Sequence, residues 1–199
     1  MKKVILFLFL VISTCFFAQV PFDKNSVLNF QKKLNASYAD KRTSPLTTKD
    51  LKSFKKLDFF PSDKQFFVIA QFIRTPKEQP FEMPTSTKRK PMYIKYGEAH
   101  FVLKGKKLKL NVYRNLEFSN NPSYKDNLFL PFTDLTSGVE SYGGGRYIDL
   151  KIPSENTIMI DFNKAYNPYC AYNQEYSCPI PPEENDLKVK IYAGVKKFH

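Results

Sequence analysis

The sequence has no tryptophan, two histidines and three cysteines among its 199 residues. A serine or cysteine nucleophile usually needs a histidine base, yet His199 is the last residue and His100 falls within a predicted strand. A zinc site takes about four ligands, and the same two histidines would have to serve it. The composition therefore disfavours nucleophilic triads and zinc sites.

The chain also lacks an apolar run long enough for a typical membrane span. The longest such run, Val4 to Phe17, follows two lysines and ends at the small residue Ala18, whereas a spanning helix needs about 20 apolar residues. A basic start, a short apolar core and a small terminal residue are typical of a secretory signal. We expect residues 1–18 to direct export to the periplasm or beyond. An uncleaved anchor and lipid attachment at Cys15 are the alternatives.

The remaining residues, 19–199, have the length of one domain. Loss of the two signal lysines changes 31 basic residues to 29 against 19 acidic ones, a net charge of +10. This balance favours anionic partners, but the lysines are spread along the chain, as expected for a solvated surface. We find no basic patch on a recognisable nucleic-acid module. We therefore expect neither nucleic acid as a partner nor a stable membrane span after cleavage.

The start of the mature chain has the spacing of a helix. Val27, Phe30, Leu34 and Tyr38 recur at intervals of three and four, and Asn25 or Ser26 is the expected N-cap. Thr47 and Asp50 form the pattern of a capping box, which predicts a second, short helix.

From Gln65 onward the pattern is that of strands, many of which alternate apolar and polar residues. Gly97 and Gly105 mark expected turns, and Pro-rich residues 75–91 a loop. The predicted strands are 66–73, 92–95, 99–103, 107–113, 128–132, 146–152, 157–162 and 187–193. Short strands with tight turns predict an antiparallel β-sandwich or barrel with one or two short N-terminal helices.

Cleavage of the signal leaves two cysteines, Cys170 and Cys178, in one stretch rich in proline and tyrosine. In an oxidising compartment an even pair indicates a disulfide. Two free thiols or a metal site are the alternatives.

Residues 128–187 hold a dense series of motifs. They are PF-x-D-x-T-x-G from Pro131, YGGGRY from Tyr142, DFN-x-AYNP-x-C from Asp161, and CP-x-PP-x-EN-x-L from Cys178. These motifs, with a closing Ala193-Gly194, resemble the DUF1684 family of uncharacterised proteins over about residues 41–196. The family name carries no established activity, so the resemblance implies membership and a shared fold without implying a reaction or a cofactor.

The glycine run before Arg146 is a candidate anion site. Three glycines allow close approach of a ligand, and exposed backbone N–H groups can form a nest beside a bidentate arginine. The alternative is a glycine turn that feeds a strand, with Arg146 paired internally to an aspartate such as Asp161.

Three aspartates, Asp134, Asp149 and Asp161, are candidates for acid–base or metal-assisted hydrolysis. Two carboxylates can share hydrolytic work if they flank a bond at the right separation. An ordinary turn at Asp134 and an internal partner for Asp161 are the structural alternatives.

Tyrosines and amides crowd the same stretch and suit stacking on sugar rings, or equally a loop that packs on itself. Our leading hypothesis is a module that binds an anionic or glycan ligand of the cell envelope. A hydrolase and a purely structural cap over an open barrel end are the alternatives. The ligand-binding candidates are Asp134, Thr136, Tyr142, Gly144, Arg146, Asp161, Asn163, Asn167 and Asn185.

Overall fold

The computed structural model describes residues 21–199. The predicted signal peptide and Cys15 lie outside these residues. Within them, no helix has the length and apolar character to cross a membrane.

Two helices open the described chain, as the sequence predicts. Helix α1 spans Lys24–Ala39 and α2 spans Thr48–Ser53. The N-cap of α1 is Asp23, whose carboxylate accepts the Asn25 N–H at 2.9 Å, so the predicted caps at Asn25 or Ser26 are wrong. A carboxylate this close to the first free N–H groups outcompetes the next polar side chains.

The predicted start of α2 is confirmed, with Thr47 as its N-cap. The Thr47 hydroxyl accepts the Asp50 N–H at 3.1 Å and donates to the Asp50 carboxylate at 2.7 Å. Both helices pack against the C-terminal end of the chain, where Tyr38 meets Tyr172 and Val195 in one apolar cluster.

The strands form one mixed but largely antiparallel sheet that curls into a half-barrel. Along the sheet the order is β6-β5-β4-β3-β1-β7, with β2 added beside β3 and β8 beside β5 in parallel. The bounds are β1 Phe67–Arg74, β2 Phe81–Glu82, β3 Met92–Leu103, β4 Lys106–Asn115, β5 Asn127–Asp134, β6 Arg146–Lys151, β7 Thr157–Asp161 and β8 Asp186–Leu187. The prediction of a mainly antiparallel β fold with N-terminal helices is confirmed.

Two strand predictions need correction. The expected turn at Gly97 is instead a bulge inside the continuous strand β3. A Cβ at Gly97 would lie 2.5 Å from the Phe72 ring, so glycine here serves close packing between neighbouring strands.

The second correction concerns the last predicted strand, residues 187–193, since strand pairing ends at Leu187. The segment remains extended, and alternate side chains from Leu187 to Ala193 still enter the core. Some of its backbone groups bond instead to side chains; for example, the Asp134 carboxylate accepts the Ile191 N–H at 2.7 Å. Side-chain partners thus replace part of the expected ladder.

The main core lies inside the curl of the sheet. Phe101, Phe132 and Phe162 meet there with ring centroids 5.3–5.9 Å apart, surrounded by aliphatic side chains from β1, β4, β5 and β7. One face of β5 and β6 therefore points into this core, and the other face remains for a site.

Candidate functional site

Arg146, the centre of the predicted site, lies inside the protein with 0% of its surface exposed. It is the first residue of β6, and its guanidinium donates to the Asp134 carboxylate at 3.0 Å and to the Ile191 carbonyl at 2.9 Å. It also donates to the Ala193 carbonyl and, at 3.4 Å, to the Thr136 hydroxyl. We call these five residues the internal network.

The internal network is closed on its own partners. Burial lowers the pKa of Arg146, and the Asp134 carboxylate opposes that shift, so the guanidinium keeps its charge. The guanidinium also lies 5.3 Å from the centre of the Phe132 ring. A clamp for an incoming anion needs N–H groups at a surface, and Arg146 presents none. The internal pairing considered from the sequence is what the structure contains, with Asp134 rather than Asp161 as the partner.

The glycine run forms a tight turn into β6. The Gly145 N–H donates to the Tyr142 carbonyl at 3.1 Å, and Gly145 has a φ of +86°. A Cβ at Gly145 would lie 2.6 Å from the Phe132 carbonyl oxygen, and one at Gly144 would lie 2.5 Å from the Tyr142 ring. The glycines thus permit close approach between parts of the chain, which explains them without a ligand.

The predicted amides also serve the chain itself. Asn163 bonds to both backbone groups of Asp63, at 2.8 and 3.0 Å. Asn167 donates to the Lys196 carbonyl at 2.9 Å. Asn185 is fully buried and exchanges hydrogen bonds with the Asn111 backbone at 2.8 and 2.9 Å. The contacts of Asn185 tie the C-terminal segment to β4.

The three candidate aspartates do not share one surface. Asp134 belongs to the internal network, and Asp161 accepts the side-chain N–H of Asn163 at 2.9 Å beside Lys164 at 3.6 Å. Asp149 alone of the three faces an open pocket. Residues 21–199 contain no group of three or more His, Cys, Asp or Glu side chains placed to hold a metal ion.

This pocket lies on the face of β5 and β6 away from the core and has a volume of about 610 Å³. Because side chains alternate along a strand, Arg146 and Ile148 enter the core while Tyr147 and Asp149 point outward. Asp149 stands opposite Phe129 of β5. We call this cavity the outer pocket; it is lined by Tyr93, Asn115, Phe118, Tyr124, Asn127, Leu128, Phe129, Tyr147, Asp149, Tyr166, Pro168, Tyr169, Ser177, Cys178 and Pro179.

Aromatic rings form most of the wall and floor of the outer pocket. Tyr147 packs edge-on against Phe129 at 4.7 Å and against Tyr166 at 5.9 Å between ring centres. The Tyr147 hydroxyl donates to the Pro179 carbonyl, which fixes the ring. Phe118 and Tyr124 stand at the rim, about half exposed. Rigid floor rings with open rim rings are suited to a flat ligand face.

Asp149 is the charged group of the outer pocket. The Tyr166 hydroxyl donates to its carboxylate at 2.9 Å. Asp149 is exposed to solvent and lies beside the aromatic wall of the outer pocket. Desolvation by that wall raises the pKa of Asp149, and the hydrogen bond from Tyr166 and the charge of Lys151 oppose the shift. The carboxylate is an acceptor held in one orientation.

Sequence reasoning named Asp149 and the tyrosines but missed the pocket that joins them. One available signal was the alternation along β6, which places Tyr147 and Asp149 on the face opposite Ile148. The contributions of Tyr93 and Phe118 come from distant parts of the chain. No short-range pattern links them to β6.

The predicted disulfide is not formed in the structure, where Cys170 and Cys178 are free thiols. They are nevertheless neighbours, since the Cys170 N–H donates to the Cys178 sulfur at 3.1 Å. Cys178 lies on the wall of the outer pocket.

Comparison with known proteins decides the family. The model of DUF1684, described as a protein of unknown function, matches residues 52–196. The chain belongs to the DUF1684 family. This confirms the resemblance seen in the motifs between Pro131 and Gly194.

A solved structure of similar fold supports the architecture. The chain is similar to the solution NMR structure of an uncharacterized protein from Haloarcula marismortui, with 30% sequence identity and a TM-score of 0.68. The similarity covers 86% of this chain and 92% of the other. The comparison with curated proteins found no match.

Proposed function

We propose that this DUF1684 protein is an exported binding module whose outer pocket takes a polyhydroxylated ring, such as a sugar unit of an envelope glycan. The observation that carries the proposal is a fixed carboxylate, Asp149, set among aromatic rings. A volume of about 610 Å³ lies within the usual range of small-molecule sites, about 300–1,000 Å³. Aromatic faces pack on a sugar ring while a carboxylate accepts its hydroxyl protons.

The charges in the outer pocket favour a glycan over an anion. Among its lining residues in the described chain, Asp149 carries charge and no lysine or arginine is present. Arg146, the expected anion clamp, is enclosed in the internal network. An anionic group in the pocket would meet a like charge, whereas a hydroxyl or an amine would meet an acceptor.

The placement of the carboxylates favours binding over hydrolysis. Glycoside hydrolysis usually needs two carboxyl groups about 5–10 Å apart across the bond. Asp134 and Asp161 are committed to internal hydrogen bonds, and the pocket lining supplies Asp149 without a second acid. We therefore place the hydrolase second.

Export is part of the proposal and rests on the sequence. A signal in residues 1–18 would deliver a mature domain, residues 19–199, to the periplasm or beyond. In that oxidising setting we propose that Cys170 and Cys178 form a disulfide, since the Cys170 backbone N–H already contacts the Cys178 sulfur. Intact mass of the exported protein, with and without reductant, tests both the cleavage and the bond.

A thermal-shift experiment tests ligand binding. The mature protein is heated with N-acetylglucosamine, cellobiose or para-nitrophenyl glucoside. A ligand that binds the folded state at about 100 times its Kd adds about 2.7 kcal/mol of stability, which gives a clear rise in Tm. The rise should be lost in Asp149→Asn.

The matched control is Glu155→Gln, which removes one negative charge from an exposed turn outside the pocket. This variant should keep the full rise in Tm. A rise that survives in Asp149→Asn, or no rise with any of the three probes, would refute the proposed site.

A further inference from the structure

We propose that Cys170 and Cys178 form a thiol–disulfide exchange site beside the outer pocket. Cys170 is the sulfur that reacts with an external disulfide or thiol, and Cys178 is its resolving partner. The inference rests on the export and disulfide proposed above. It concerns reactivity, however, and is independent of which ligand the outer pocket takes.

The two thiols are placed for reaction without a change of fold. Cys170 lies in the short 3₁₀ helix Tyr169–Ala171, and its N–H donates to the Cys178 sulfur at 3.1 Å. Because the two residues already touch in this way, a disulfide can form with little backbone movement.

The backbone of Cys178 is fixed by the segment 84–86. Its N–H donates to the Ser86 hydroxyl at 3.1 Å, and its carbonyl accepts the Ser86 N–H at 2.9 Å. The Ile180 N–H donates to the Pro84 carbonyl at 2.8 Å, which extends the pairing by two residues. A resolving cysteine held in this way stays within reach of its partner.

The two sulfurs have different surroundings, which sets the direction of attack. Cys178 is 7% exposed, whereas Cys170 is only partly buried and can be reached by an external thiol or disulfide. The Tyr142 hydroxyl lies 3.8 Å from the Cys170 sulfur. Hydrogen bonds from Cys178, Tyr142 and Ser86 lower the pKa of Cys170 to about 6 against the effect of burial. A thiolate is the nucleophile in exchange.

The reaction balances with a low-molecular-weight disulfide as oxidant. The Cys170 thiolate attacks one sulfur of that disulfide, forms a mixed disulfide and releases one small thiolate, which takes up a proton. The Cys178 thiol then loses its proton and attacks the Cys170 sulfur, which releases the second small thiol. The dithiol is oxidised to the Cys170–Cys178 disulfide, and one small disulfide is reduced to two thiols. The reverse steps reduce the protein.

Trapping with oxidised glutathione tests the assignment in the mature protein. In Cys178→Ser, the mixed disulfide should accumulate on Cys170 because no resolving sulfur is present. In Cys170→Ser, Cys178 should be modified at least tenfold more slowly. Wild type should pass to the internal disulfide, and Tyr142→Phe should slow the first step several-fold at neutral pH. Intact mass and peptide mapping against time give the rates.

A measurement on wild type guards against variants that fail to fold. A brief pulse of N-ethylmaleimide on reduced protein should label Cys170 well ahead of Cys178. Equal labelling, or faster reaction at Cys178, would overturn the assignment. The assignment would also be overturned if glutathione reduced the oxidised protein only after denaturant was added, since such a bond is a structural cross-link. The thermal shift with sugars measures ligand binding and the trapping experiment measures thiol reactivity, so either proposal can fail alone.

Discussion

Arg146 has its charge fully enclosed by the chain that carries it. Its guanidinium meets one carboxylate and two backbone carbonyls, so its main hydrogen-bonding groups are used, although Nε has no partner. A buried ion pair of this kind contributes less to net stability than its Coulomb attraction implies, because both ions lose water. Loss of one member is costly, since the other is left charged and unpaired.

The first prediction follows from this asymmetry. Arg146→Met, which keeps much of the side-chain volume, should lower the free energy of unfolding by about 3–5 kcal/mol because Asp134 stays buried without its cation. Arg42→Met breaks a surface pair with Asp40 whose arginine is 87% exposed, and should leave the free energy of unfolding almost unchanged because solvent screens the pair. Urea unfolding of both variants supplies the comparison. Equal, small losses would mean that the internal network is not a structural centre.

Asp149 gives a prediction in pH. Its pKa is raised above the ordinary value of 3.8, chiefly by desolvation. Between the ordinary and the raised pKa the folded state holds more protons than the unfolded state, so this group's stabilising contribution is lost as pH rises. Asp149→Asn cannot titrate there and still offers an oxygen to Tyr166.

The stability of Asp149→Asn relative to wild type should therefore increase as pH rises through that window and level off above it. Urea unfolding at several values from about pH 3 to about pH 8 measures the difference. A difference that decreases with pH would show that the folded state lowers the pKa of Asp149 instead.

At the scale of elements, strand β6 places its structural side chains on one face and its candidate site side chains on the other, because side chains alternate along a strand. Arg146 and Ile148 face inward, and Tyr147 and Asp149 face the outer pocket. The glycine turn before β6 sets this register, because Gly145 passes close to the Phe132 carbonyl.

Two glycines allow the effect of close approach to be separated from that of backbone angle. Gly145 and Gly105 both have positive φ, +86° and +76°, but a Cβ at Gly105 would meet nothing within 4 Å. Gly105→Ala should lose about 1–2 kcal/mol from its backbone angle. Gly145→Ala should lose about 1–3 kcal/mol more from the clash with Phe132. Equal losses in urea unfolding would show that close approach is not what requires glycine at 145.

The elements show how far the sequence predicts this protein. Period-two segments such as Thr157–Asp161 are recovered nearly to the residue because one face is buried and the pattern is local. The end of strand pairing at Leu187 was not predictable, because it depends on Asp134 and Arg146 bonding to a segment more than forty residues away. The inward position of Arg146 was within reach of the sequence, since alternation puts it on the same face of β6 as Ile148.

The outer pocket was less predictable than the fold for a related reason. Its floor comes from β5 and β6, but its rim includes Phe118 and Tyr124 from a long turn and Tyr169 from the C-terminal segment. Only tertiary packing brings these rings together. Residue types alone correctly marked the stretch as crowded and could not distinguish side chains that face a ligand from those that hold the chain.

At the scale of the whole molecule, the C-terminal segment has two structural roles. Its buried amides, among them Asn185, fasten it to the sheet, while Tyr166 and Pro179 complete the outer pocket. The full sequence carries a net charge of +12, but the residues that line the outer pocket in the described chain include Asp149 and no lysine or arginine. This lining is suited to a neutral or cationic ring.

The most direct test of the outer pocket as a binding site is an amide chemical-shift titration. The isotope-labelled mature protein is titrated with N-acetylglucosamine, cellobiose and para-nitrophenyl glucoside. We predict saturable shifts for at least one sugar, largest at Tyr93, Tyr147, Asp149 and Tyr166, and absent in Asp149→Asn. Shifts centred on residues 143–145 and the internal network, or no saturable shifts with any of the three sugars, would contradict the outer pocket as the site.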